Sequence, residues 1–159
     1  MSAAPKASGA LPPGGLEIFQ EHGHLSLNEA AVRNAAARVA EGEGVHWREV
    51  GIILGDHALV HELNSEWLGH DWTTDVVSFP LDEEARARGE IEGEVYVDLD
   101  TAQEVAPEVG ATFETEALRY VVHGLLHLCG HDDAADDERA AMRALEDRYL
   151  GLGPDQSEM

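Results

Sequence analysis

Apolar and polar positions along the chain change period several times, and each change marks an element. LEIFQ, from Leu16, reads as a short strand. LNEAAVRNAAARVAEGEG, from Leu27, is alanine-rich with apolar positions at helical spacing. Ser26, with Glu29 three residues on, reads as its capping box, and Gly42 and Gly44 as its stop. EVGIILGD is a run of β-branched and apolar residues, a buried strand. Asp56 then caps HALVHELNSEWL, a helix with Leu59, Leu63 and Trp67 on one face. GHDWTT is a loop, and DVVSFP is a strand that Pro80 ends. LDEEARARGEIEG reads as an exposed, hairpin-like charged loop, and EVYVDLD as a strand alternating Val95 and Val97 against Tyr96 and Asp98. TAQEVAPEVG is a short helix broken around Pro107. TFETEALRYVVHGLLHLCG is the strongest helical segment, capped by Thr112 or Thr115, and DDERAAMRALEDRYLG is a last helix stopped at Gly151. The pattern predicts an α/β (α+β) fold: a small mixed four-stranded sheet covered by five or six helices. Helix–strand alternation in the first half predicts parallel strands with crossovers, and DVVSFP and EVYVD can pair as a hairpin.

A chain of 159 residues fits one domain with a real core. The expected division is a disordered tail over 1–15, a single domain over 16–151, and a flexible tail over 152–159. No apolar run approaches the ~20 residues that span a bilayer. The N-terminus carries one lysine and no apolar segment, so it does not read as a secretory signal, and the default compartment is the cytoplasm. Cys129 is the one cysteine, which excludes an internal disulfide; it falls on the far side of its helix from the histidines, in the core. The formal net charge is −22, with Lys6 the single lysine. Taken alone, that charge argues against binding a polyanion; it also fits adaptation to a salty cytoplasm, where screening relieves self-repulsion.

The candidate chemistry sits near the end of the chain. His123 and His127 are four apart, which on a helix puts both imidazoles on one face, within reach of a single ion. The helix around them, VVHGLLHLCG, is strongly apolar, so the rings need a partner. Gly130 can turn the chain back toward them and offers His131, Asp132 and Asp133. The frame from His123 through His127 and Gly130 to Asp133 has the spacing of the extended zinc signature H-E-x-x-H-x-x-G-x-x-H, with aspartate in the last slot. Zinc peptidases carry a glutamate base after the first histidine, where this chain has Gly124. Three protein ligands leave a position open, as in catalytic and unlike structural zinc sites.

HGLLHLCGHDD, with LNSEWLGHDWTTDVVSFP and EGEVYVDLDTAQEVA upstream, resembles the YbeY family of bacterial rRNA maturation factors over roughly Leu16 to Leu150. The resemblance implies an α/β fold with a small mixed sheet, one zinc per chain and endoribonuclease activity on single strands. It further implies a part in 16S rRNA 3′-end maturation and ribosome quality control, with RNA and small-subunit components as partners. Two departures stand out. The family's block ends in G-Y-D-H, so by frame Asp133 replaces the histidine that is the third ligand, while His131, at the tyrosine position, is the alternative. Leu68 stands where many members carry an arginine for RNA phosphates. Arg119, one turn before His123, is either a substitute for it or a solvated helix residue. Asp75 either orients the site or caps its loop, and Ser78 either faces the cleft or packs in the core. His70 belongs to the loop block. His22, His24, His46, His57 and His61 have no ligand spacing to a third group; His57 and His61, four apart on a helix with no turn after them to bring a ligand back, read as helix surface. Two rivals remain: a zinc peptidase, and a ribosome-assembly factor whose zinc is mainly structural.

Overall fold

The computed structural model describes residues 15–68, the last two by their backbone, and 75–152. Strands β1 (Gly15–Gln20), β2 (His46–Gly55), β3 (Val76–Pro80) and β4 (Glu90–Asp98) form one four-stranded sheet in the order β1-β2-β4-β3. β1 and β4 run parallel to β2, and β3 runs antiparallel to β4. The connections explain the order. Helix α1 (Glu29–Glu43) is the crossover from β1 to β2, and α2 (His57–Leu68) leaves the end of β2. The chain then returns through β3 and the short helix α3 (Glu83–Ala87) to β4. Helices α4 (Leu99–Val105), α5 (Phe113–Leu128) and α6 (Asp136–Leu150) follow, with a 3₁₀ turn at Ala106–Val109 after α4. The mixed four-stranded sheet and its helical cover are as the sequence pattern predicts.

The central strands are covered on both faces, and the period of two sorts their side chains. Val50, Ile52, Leu54, Val95 and Val97 face a core shared with α1 and α5; Ile53, Val77, Phe79 and Tyr96 face α2 through Val60 and Leu63. On α1 the buried stripe is Val32, Ala35, Ala36 and Val39, the i, i+3, i+4, i+7 pattern of one helical face. Each fully buried Val, Leu or Ile contributes about 1.5–3 kcal/mol. The largest share falls to α5, whose Val121, Val122, Leu125 and Leu126 are fully buried. That burial anchors the helix carrying the histidine pair.

Several local expectations are corrected. Asn28, not Ser26, caps α1: its side-chain oxygen accepts from the Ala31 N–H at 2.9 Å, and Glu29 is already the first helical residue. An asparagine amide meets the orphan N–H groups as well as a serine hydroxyl does. Gly42 stays inside α1 against the Tyr149 ring, and the helix stops at Gly44. The charged segment after Pro80 is no open loop. Asp82 caps α3, accepting from the Ala85 N–H at 3.0 Å, and Glu90–Gly93 extends β4 so that it pairs with β2 along its whole length. Asp56 does cap α2, and Thr112 caps α5. Of the expected tails over 1–15 and 152–159, Gly15 instead opens β1; apart from Gly15 and Leu152, both tails lie outside the described residues, as do the GHDWTT loop with His70 and the side chains of Trp67 and Leu68. No helix among the described residues is long and apolar enough to cross a membrane.

Candidate metal centre

α5 carries His123 and His127 one turn apart, with Gly124 between them pressed against the sheet. Helix α5 ends at Cys129, and Gly130 then adopts φ +106°, a backbone region that side chains with a Cβ rarely enter. The turn is closed by the Gly130 N–H on the His127 carbonyl (3.0 Å) and the His131 N–H on the Leu126 carbonyl (3.1 Å). It brings Asp133 back to the histidines. His127 Nε2 lies 3.0 Å from His123 Nε2; Asp133 places Oδ2 3.2 Å from His123 Nε2 and Oδ1 3.6 Å from His127 Nε2. Zinc bonds of about 2.0–2.1 Å in tetrahedral directions separate donor atoms by about 3.3 Å. The two imidazole nitrogens and the carboxylate, which turns a different oxygen to each ring, therefore have the spacing and the chemistry of ligands to a single metal ion. Among the described residues it is the one group of His, Cys, Asp and Glu with ligand atoms this close.

The electrostatics of the pair are divided. Burial pulls the His123 pKa down, but the hydrogen bond to Glu146 and that carboxylate's charge, with Asp133 and Asp75, more than reverse it, so the pKa is raised. His123 Nδ1 lies 2.6 Å from Glu146 Oε2. His127 is lowered, first by burial and then by the charge of His123. A ligating histidine with its second nitrogen on a carboxylate is a common arrangement in metal sites, fixing the ring's tautomer and orientation. Glu146 was not singled out in the sequence. Its signal is that it occupies the buried stripe of α6 with Met142 and Tyr149, at helical spacing, where a carboxylate needs a reason.

Gly124 bears on the reaction class. A Cβ there would collide with Val95 Cγ1 and stand 3.0 Å from Val76 Cγ2 and 3.2 Å from Ser78 Oγ. The position points into the sheet, so no side chain at that place could serve as the base of a zinc peptidase.

A family model described as Endoribonuclease YbeY matches residues 17–152. Among the relatives are the Endoribonuclease YbeY of Salinibacter ruber, 46% identical over 143 residues covering 87% of this chain and 91% of that protein, and that of Chlorobium luteolum, 37% identical over 124 residues covering 78% and 88%. The chain belongs to the YbeY family. Membership makes it a hydrolase of the nuclease class. The solution structure of a Thermotoga maritima protein is similar in fold, with a TM-score of 0.55 and 31% identity over 86% of this chain and 87% of that one.

Within this YbeY chain the remaining candidate residues fall in distinct places. His131 turns away from the triangle: its Nε2 lies 2.6 Å from Glu43 Oε1, and Glu43 also accepts from the Tyr149 hydroxyl at 2.7 Å. Arg119 is neither solvated nor free. It is buried and donates to Glu146 at 3.0 Å and Asp147 at 2.9 Å, because a guanidinium in that position needs both carboxylates. Ser78 donates to the Gly124 carbonyl at 3.0 Å, fastening β3 to α5, and is not among the residues lining the cleft. Asp75 does line the cleft, together with Glu116, Tyr120, His123, Asp133 and Arg143. Burial raises its carboxyl pKa, His123 partly offsets this, and Glu116 and Glu146 add to it. Cys129 packs against the core, with its thiol pushed up to about 12 by burial. His57 lies exposed at the start of α2, with its Nδ1 2.7 Å from the buried Asp98 at the end of β4, and His22 meets Asp100 of α4 at 2.8 Å.

Proposed function

We propose that the protein is a zinc-dependent endoribonuclease that cuts single-stranded RNA and acts in the cytoplasm, in 16S rRNA 3′-end maturation and ribosome quality control. The single observation that carries the reading is the triangle of His123, His127 and Asp133, backed by Glu146 and opening on a cleft, in a chain of the YbeY family. His123, His127 and Asp133 hold one zinc, and side-chain exposures of 22%, 29% and 34% leave a side open for water and substrate. The ion's part is to polarise a phosphoryl oxygen and to acidify a water.

The chain's own residues do the rest. Glu146 holds the Nδ1 proton of His123 and keeps its Nε2 aimed at the ion. Arg119 neutralises Glu146 from behind, so that the carboxylate does not oppose an approaching phosphate. Asp75, whose backbone carbonyl accepts the Asp98 N–H at 3.0 Å, is fixed at the cleft and takes the proton of the attacking water at its carboxylate. The zinc-loaded chain should cleave single-stranded RNA, spare casein, and lose activity to a chelator. Cleavage of casein would favour the peptidase reading. A zinc-loaded chain that binds ribosomal RNA without cutting it would favour the assembly factor.

A further inference from the structure

We propose that Arg143 is the cationic contact for the RNA backbone, holding a phosphate of the substrate strand beside the metal centre. The inference rests on the endoribonuclease reading and goes beyond it by naming what receives the polyanion in a chain of net charge −22.

Among the described residues, every other arginine is engaged by a carbonyl, a carboxylate or a ring. Arg139, its neighbour one turn earlier on α6, donates to the Ala134 carbonyl at 2.9 Å and pairs with Asp136. Arg119 is locked between two carboxylates. Arg143 is exposed and has no hydrogen bond or ion pair among the described residues, and it lines the cleft of about 280 Å³ that also contains His123 and Asp133. Its place on α6 is fixed: it stands three residues before Glu146, the residue that holds His123, so the two share a helix face.

The charges around the cleft make that guanidinium the open one. Glu146 is answered by Arg119 and His123, and Asp133 by the two imidazoles it faces. A phosphodiester entering here meets two carboxylates already answered, Glu146 and Asp133, and one unpaired fork of N–H donors, the group best matched to phosphate oxygens. Leu68 offers no charge at the position where the family resemblance expects one.

The test uses the full chain and a labelled single-stranded oligoribonucleotide of mixed sequence. Binding is read by anisotropy on metal-free protein, and cleavage on zinc-loaded protein. Arg143→Ala should raise the Kd and the KM roughly five- to ten-fold. It should also shift the slope of log affinity against log salt by about 0.7, the value of one single-strand phosphate contact. Zinc content, Tm and kcat should stay unchanged. Arg143→Lys should recover part of the loss. Arg148→Ala, which removes the same charge from α6 at the ring of Tyr149, should leave binding within two-fold. If wild type binds and cuts RNA and Arg143→Ala matches it in KM and salt slope, this inference is overturned alone. Equal losses in Arg143→Ala and Arg148→Ala overturn it too, in favour of a general charge effect. A zinc-loaded wild type that leaves RNA intact overturns the endoribonuclease reading and this inference with it.

Discussion

Replacing Glu146 with glutamine measures how far the metal centre depends on a residue that is not itself a ligand. Glu146 Oε2 lies 2.6 Å from His123 Nδ1, and Oε1 lies 3.0 Å from Arg119 Nη1. Glutamine keeps the volume but not the charge. With its oxygen toward His123 it presents an NH₂ to the Arg119 guanidinium, donor against donor; turned round, it loses the bond to His123. Outer carboxylates of this kind are worth about 10–100-fold in metal affinity, or about 1.4–2.7 kcal/mol. The pH dependence separates this from a general loosening. In the metal-free protein the His123 pKa lies above 6.5: burial lowers it, but Glu146 more than restores it. Zinc must displace that proton, so apparent affinity falls as pH drops through the raised value. Without Glu146 the pKa falls and the decline begins at lower pH. The mutant should therefore bind zinc less tightly at a pH of about 8, and the gap should narrow toward a pH of about 6. Stability of the metal-free protein has the matching sign. A raised pKa contributes stability that is fully present below the unfolded value and is lost as pH rises through the folded one. Wild-type Tm should show that step, and Glu146→Gln should lack it. Zinc titration against a competing chelator at several pH values, with thermal melts of metal-free protein, measures both. Equal affinity at the upper pH, or a gap that widens on acidification, would refute the reasoning.

Five further outcomes are expected. Metal analysis should find one zinc per chain in wild type and none in His123→Ala with His127→Ala, and Asp133→Ala should weaken zinc binding far more than Asp132→Ala. His131→Ala should lower Tm through the lost Glu43 bond and leave zinc in place; greater zinc loss there than in Asp133→Ala would make His131 the ligand. Asp75→Asn should retain zinc while kcat on RNA drops about 10²–10⁴-fold, the usual worth of a general base; an unchanged kcat removes it from the chemistry. Gly124→Ala should cost about 1–3 kcal/mol by overpacking against Val95 and Val76, seen as a Tm lower by several degrees; an unchanged Tm would mean that the sheet yields. With repulsion screened from a Debye length of about 10 Å at 0.1 M to about 3 Å at 1 M, RNA binding should be flat or improve and Tm should rise with added KCl; a steep fall in both would show that the acidic surface is no salt adaptation.

Where an element buries one face, its period announced it. The stripe on α1, the alternation of Val95 and Val97 against Tyr96, and the apolar run of β2 are direct readings of the core. What failed was local and polar. Ser26 and Asn28 are both competent caps two residues apart, and only the packing of Leu27 and Val32 decides which one the helix uses. The segment after Pro80 looked like solvent-facing loop because charges dominate it. Its last four residues, Glu90–Gly93, are strand, held by pairing with β2 across more than forty residues of sequence, and no local pattern carries that information.

The same division runs through the site. The triangle could be read because its three donors sit on one helix and the turn that ends it, so spacing alone fixes their geometry. Its supports could not, because each comes from elsewhere in the chain. Glu146 reaches His123 from α6, Glu43 reaches His131 from the end of α1, and Asp147 shares Arg119 with Glu146. The buried cation and the turned-away histidine follow from those carboxylates. With 32 acidic residues in the chain, an arginine or histidine near the site is claimed by an internal carboxylate wherever the fold allows one. The sequence distinguishes a free cation from a claimed one only by the absence of a partner in three dimensions. That is why Arg119, which stands one turn before His123, is structural, while Arg143, which no motif marks, is the cleft-lining arginine without a partner among the described residues.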